Sequence, residues 1–156
     1  MPKVHFKKEN GKYAIALSYT TAEIAELGQK GFFLEAFGRL DKMLDQACFV
    51  LLHKRFASAD KLVSAIVDDR LPGFEAARIL YQAGELDKKT FEAVKRFKEA
   101  RNTVTHDSYG HYAFALKQAE QVKDEADLVK KADAKAKSEL QQGAAAFDAL
   151  MKALSK

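Results

Sequence analysis

Three side chains in the segment FKEARNTVTH, residues 97–106, carry groups able to act together on a substrate. His106 brings an imidazole, the group that takes up and releases a proton near neutral pH. Arg101 brings a permanent cation whose planar fork matches an oxyanion, and Asn102 an amide that both donates and accepts. Val94, Phe97 and Val104 form a heptad-like apolar seam with Arg101 in its middle. On a wheel of about 100° per residue, Arg101 lies roughly 20° from Val94 and about 40° from Phe97. A guanidinium with its stem in such a seam needs an anion or a neighbouring chain. Asn102 and His106, four apart, share a face, whereas Arg101 and His106 project about 140° apart. Either the reach of Arg101 and a distorted β-branched turn, Thr103-Val104-Thr105, close that angle, or a second copy across a two-fold supplies the missing member.

Other candidates carry less. The sequence has no H-E-x-x-H, no Cys/His pair at ligand spacing and neither glycine-rich nucleotide signature, so no metal site is predicted. Cys48 is the single cysteine, lies on an apolar stripe and reads as a small buried hydrophobe. Asp68 and Asp69 are adjacent, hence divergent on a helix, and read as a solvated helix end. His5, His53 and His111 read as surface, boundary or turn residues. Around the motif, Lys88, Lys89, Lys95, Arg96, Lys98 and Arg101 outweigh Glu92 and Glu99, a local basic field that would steer a phosphate backbone.

The elements that must hold these groups are helical. Only Pro2 and Pro72 interrupt a chain rich in Ala, Leu, Lys, Glu and Gln, which predicts an all-α, up-and-down bundle. An exception is the N-terminal segment, 1–20, where Val4, Phe6, Tyr13, Ile15 and Leu17 alternate about Asn10-Gly11 and suggest a short β-hairpin. The bundle is assigned to 21–130. A short helix runs from Thr20 or Thr21 to Gly28, and a longer one carries Phe33, Phe37, Leu40, Leu44, Ala47, Cys48 and Leu51 on one stripe. Ser58 caps the next, Leu71-Pro72-Gly73 breaks it, and a short helix ends at Gly84. Asp87 opens the motif helix, Lys88 to about Thr105; Ser108-Tyr109-Gly110 then turns into a long helical stretch from about Tyr112. Residues 131–156 form a C-terminal helical extension. Lys130–Lys137 lacks an apolar face, and Phe147, Leu150, Met151 and Leu154 restore one that either folds back or meets a second chain.

With 156 residues, 47% hydrophobic and 31% charged, the chain is sized for one globular domain rather than a disordered one. A net charge of +4 permits an anionic partner without demanding one. No secretory signal pattern and no run of 18 apolar residues is present, so the expectation is a cytoplasmic protein with no membrane association.

The segment Arg101-Asn102-x-x-x-His106 resembles the R-x(4-6)-H signature of HEPN domains, which usually carry a polar residue directly after the arginine. The likeness covers the motif closely and the helical body from about Gly31 to Lys130 more loosely. It implies a helical bundle, commonly a homodimer with both motifs in one cleft, and a metal-independent endoribonuclease that needs no cofactor, in the role of a toxin or defence component. His106 would then take the proton of a ribose 2′-OH or protonate the leaving 5′-oxygen. Arg101 would bind the phosphate oxygens, and Asn102 would orient His106 or touch RNA. Lys95 and Lys98 would add RNA contacts. A HEPN subgroup paired with minimal nucleotidyltransferases as toxin and antitoxin carries R-x4-H-x-Y. Here Tyr109 stands three places after the histidine, so the antitoxin-directed modification does not carry over by register; Tyr109 is a secondary candidate for it, and reads first as an aromatic packed beside Tyr112.

Three alternatives stand beside that implication. One is a buried arginine satisfied by Asp41 or Asp45, with His106 closing a helix end. Another is a catalytically inactive HEPN-like protein that binds a nucleotidyltransferase or other protein. The third is a helical scaffold oligomerising through Phe147 to Leu154.

Overall fold

A computed structural model describes residues 3–9, 12–56 and 73–156, and these form an all-α helical bundle preceded by a two-stranded hairpin. Strands β1 (Lys3–Glu9) and β2 (Lys12–Ser18) pair antiparallel, with Lys3 opposite Ser18 and Glu9 opposite Lys12. Six α-helices follow among the described residues: α1 (Thr21–Gln29), α2 (Phe33–Arg55), α3 (Gly73–Gln82), α4 (Lys88–His106), α5 (Ala113–Leu116) and α6 (Glu125–Leu154). The Asn10-Gly11 turn, the Ser58 cap, the Asp68-Asp69 pair and Leu71-Pro72 lie outside the described residues.

Local chemistry sets the helix starts. Thr20 and Glu23 form a reciprocal capping box on α1, with Thr20 N donating to Glu23 Oε2 at 2.8 Å and Glu23 N to Thr20 Oγ1 at 3.2 Å. Asp87 accepts from Thr90 N at 2.9 Å to open α4, and Asp124 from Asp127 N at 2.8 Å to open α6.

The stripe read along α2 is the core: Phe33, Phe37, Leu40, Leu44, Ala47, Cys48 and Leu51 are all buried. Against it α4 sets Phe91, Val94, Phe97 and Val104, and Phe37 stacks on Phe97 at 5.5 Å between ring centroids. Helix α4 descends alongside α2, bringing Lys98 to Asp41 and Asp45, while α6 returns with its C-terminus beside that of α2. There Arg55 Nη2 donates to Ala153 O at 2.9 Å, and Lys54 donates to Leu154 O.

Two expectations for the C-terminal third need correction. The stretch after Tyr112 is not one long helix: α5 ends at Leu116, a single 3-10 turn spans Ala119–Gln121, and α6 begins only at Glu125. Helix α6 then crosses residues 130–131 without a break. Lys130–Lys137 does have an inner face, because Ala132 and Ala136 are fully buried; their small side chains let α6 lie close to the bundle where a large apolar residue would hold it off. The final stripe folds back on the core through Leu150, with Phe147 and Leu154 packed around it and Met151 exposed.

Close packing of α6 centres on Gly143, where an added Cβ would stand 2.4 Å from Phe97 Cδ2 and 2.9 Å from Leu40 Cδ2. One turn earlier, buried Glu139 receives Arg96 through two bonds, Nε at 3.1 Å and Nη2 at 2.9 Å, and Lys135 Nζ at 2.7 Å. Burial pushes the Glu139 carboxyl up, but these donors outweigh it and hold it below its ordinary value. Helix α4 is thereby fixed between α2 and α6, which sets the position of its last turn.

Candidate active site

The motif occupies the C-terminal turns of α4. His106 is the last residue of the helix, and Asp107 caps it with extended backbone, its N–H donating to Thr103 O at 3.2 Å. Gly110, at φ +56°, then reverses the chain into the 3-10 turn Gly110–Tyr112, a conformation that favours glycine. Thr103 and Thr105 return their hydroxyls to the carbonyls of Glu99 and Arg101, at 3.2 and 2.9 Å.

Arg101 closes the wheel angle by its own length. Its Nη1 lies 3.1 Å from Asn102 Oδ1 and 3.4 Å from His106 Nε2, so one guanidinium meets both partners within a single chain. A guanidinium only donates, so this contact is a hydrogen bond in the tautomer whose lone pair lies on Nε2. Asn102 and His106 are exposed, and the Arg101 side chain is 31% exposed. Val94 and Phe97, the neighbours of Arg101 on the helical wheel, are buried.

Behind the arginine stands a cluster of charges from α2. Arg101 Nε is buried and lies 3.4 Å from Asp41 Oδ2, close enough for an ion pair yet not aligned as a hydrogen bond. Asp41 Oδ1 accepts from Lys98 Nζ at 2.6 Å, and the same ammonium also binds Asp45. Burial raises the Asp45 carboxyl above its ordinary value, and the hydrogen bond and charge of Lys98 only partly oppose that. A cavity of about 480 Å³ opens here, lined by Asp41, Phe74, Lys95, Lys98, Arg101 and Asn102. Arg101 is common to both settings, lining the cavity and touching His106.

The basic field divides once these contacts are drawn. Arg96 is committed to Glu139, Lys98 to Asp41 and Asp45, and Arg101 leans on Asp41. Lys88, Lys89 and Lys95 are exposed and make no ion pair among the described residues. Of the two lysines expected to meet RNA, Lys95 therefore has an open ammonium and Lys98 an occupied one.

Two aromatic-turn readings are corrected. Tyr109 is 64% exposed rather than packed away, and no ring contact joins it to Tyr112 among the described residues. His111 is not an exposed turn residue. Its Nε2 lies 2.9 Å from Asp133 Oδ1, and its ring sits between Phe33 at 4.3 Å and Tyr112 at 4.2 Å, pinning the turn to α2 and α6. Only the alternation of aromatic and histidine after the motif hinted at that contact, since Asp133 is 22 residues away.

No group of His, Cys, Asp or Glu suited to a metal ion occurs among the described residues. Among them, too, no helix is long and apolar enough to cross a membrane. Comparison with protein-family models, curated proteins and solved structures returns no match to this chain.

Proposed function

We propose that the chain is a metal-independent endoribonuclease of the HEPN type, working as a cytoplasmic homodimer. What supports the reading above all is the 3.4 Å contact between Arg101 and His106, with Asn102 on the same guanidinium nitrogen and the group open to solvent. An RNA phosphate entering beside Arg101 draws the guanidinium N–H groups to its oxygens and frees the Nε2 lone pair. His106 then removes the 2′-OH proton, the 2′-oxygen attacks phosphorus, and the bond to the 5′-oxygen breaks. That oxygen leaves with a proton from a second imidazole, supplied by the other copy, and the products are a 2′,3′-cyclic phosphate and a 5′-hydroxyl end. Arg101 balances the charge that builds on the phosphoryl oxygens. Exposed Lys95, on the rim of the neighbouring cavity, extends the contact along the backbone.

A second reading, a catalytically silent bundle that binds another protein such as a nucleotidyltransferase, has its own support. Phe32 and Leu34 are 55% and 63% exposed and line one groove with Gly110 and His111, at the end of the molecule that carries the motif. The test is incubation of the purified protein with single-stranded RNA and analysis of the ends formed. Cyclic phosphate ends that vanish in the His106→Ala protein uphold the ribonuclease; intact RNA at high protein concentration, with a stoichiometric co-purifying protein, upholds the binding bundle.

A further inference from the structure

Arg101 has three functional nitrogens, and the structure gives them different tasks. Nη1 faces Asn102 and His106, Nη2 makes no bond among the described residues, and Nε is turned inward, shielded from solvent. The carboxylate paired with Nε is that of Asp41, its Oδ2 at 3.4 Å, on a side chain only 14% exposed. Asp41 does not swing freely, because its other oxygen is held by Lys98 at 2.6 Å, and Lys98 is itself tethered to Asp45 one turn along α2. Two cations and two carboxylates thus form a half-buried cluster of zero net charge, with Arg101 as its outermost member.

We propose that Asp41 is the positioning residue for Arg101, aiming its Nη edge at the scissile phosphate, and that Lys98 serves as the counter-ion that holds Asp41 rather than as a contact to RNA. The inference rests on the ribonuclease reading for its consequence in catalysis, but not for the hold itself. A guanidinium anchored at Nε keeps its plane while Nη1 and Nη2 exchange His106 for phosphate oxygens. A small rotation of the side chain turns the 3.4 Å approach into a hydrogen bond, so binding phosphate and engaging Asp41 reinforce each other. Asp41 does not reach the reacting atoms; the lysine cancels its charge, so it repels no phosphate.

The hold is read directly by NMR of the Arg101 Nε–H group in the full-length protein. In the wild type this proton exchanges slowly with water, and Asp41→Asn, which preserves shape, accelerates the exchange at least tenfold while the melting temperature shows the variant folded. In RNA cleavage the same variant lowers kcat about 10- to 100-fold and leaves KM within twofold, since a misaimed guanidinium loses transition-state contacts before ground-state ones. Lys98→Gln reproduces the loss and Lys98→Arg restores most of it. An Arg101 Nε–H signal indifferent to Asp41→Asn overturns the inference whether or not the protein cleaves RNA. Wild-type protein with a protected Nε–H and no cleavage removes the ribonuclease reading and leaves the hold standing. Cleavage by Asp41→Asn at the wild-type kcat overturns the positioning role.

Discussion

Arg101 and His106, whose side chains leave their helix about 140° apart, meet at 3.4 Å through Nη1 and Nε2. The arginine spans the gap by its length, and His106 stands at the last position of α4. The pair belongs to one chain, and Asn102 is drawn into it by a bond to the same nitrogen.

That pairing sets the first expectation. Arg101→Ala and His106→Ala each reduce RNA cleavage by about 10²–10⁴-fold while far-UV circular dichroism stays unchanged. The nucleophile belongs to the ribose, so EDTA leaves the rate intact and a DNA strand of the same sequence survives. Cleavage abolished by EDTA would count against the mechanism.

Salt dependence separates the two lysines. Binding of an uncleavable 2′-O-methyl RNA weakens with salt, and Lys95→Gln reduces the slope of log K against log[salt] by about 0.7, the share of one lost phosphate contact on a single strand. Lys98→Gln leaves that slope at its wild-type value. Equal reductions for both would place Lys98 on the RNA.

Glu139 makes stability depend on acid. Its folded carboxyl titrates below the ordinary value of 4.5, with burial pushing upward and the donors Arg96 and Lys135 prevailing. The unfolded chain therefore binds the proton more readily. The contribution is complete above roughly pH 5 and drains away as pH falls through the lowered folded value. Glu139→Gln removes it, lowering stability by about 1.5–3 kcal/mol at pH 7 and flattening the fall in melting temperature at acid pH. An unchanged acid profile would refute this.

At Gly143 there is no room for a methyl group, with Phe97 and Leu40 both closer to an added Cβ than contact allows. Gly143→Ala should destabilise by about 1–3 kcal/mol, seen as a melting temperature lower by roughly 2–4 °C per kcal/mol. Gly38→Ala, where a Cβ meets nothing within 4 Å, is the control and should not destabilise.

Burial pushes the Cys48 thiol up to about 12, and the nearby Asp45 charge adds to it. Native protein should resist thiol-directed reagents at pH 8, with labelling that accelerates only as denaturant unfolds the bundle. Prompt labelling of the native protein would show that α2 opens locally.

Much of the architecture was legible because it is written in local pattern. The α2 stripe from Phe33 to Leu51, the Asp87 start of α4 and the seam of Val94, Phe97 and Val104 follow from a period near 3.6 and from capping chemistry, both properties of neighbouring residues. The Lys130–Lys137 segment misled for the same reason. Its inner face is made of alanines, which hydropathy scarcely marks and which only a close-packed neighbour turns into core.

The sequence by itself determined that the chain is helical, that Arg101 rides an apolar seam, and that Asn102 and His106 share a helix face. Tertiary structure alone decided that Arg101 bends to His106 and rests on Asp41, that Lys98 is spent on two aspartates while Lys95 stays open, and that His111 turns inward to Asp133. The physical reason is range: helix period and capping act across three or four residues, whereas the partner of a charge is whichever opposite group the packing of another helix brings within reach.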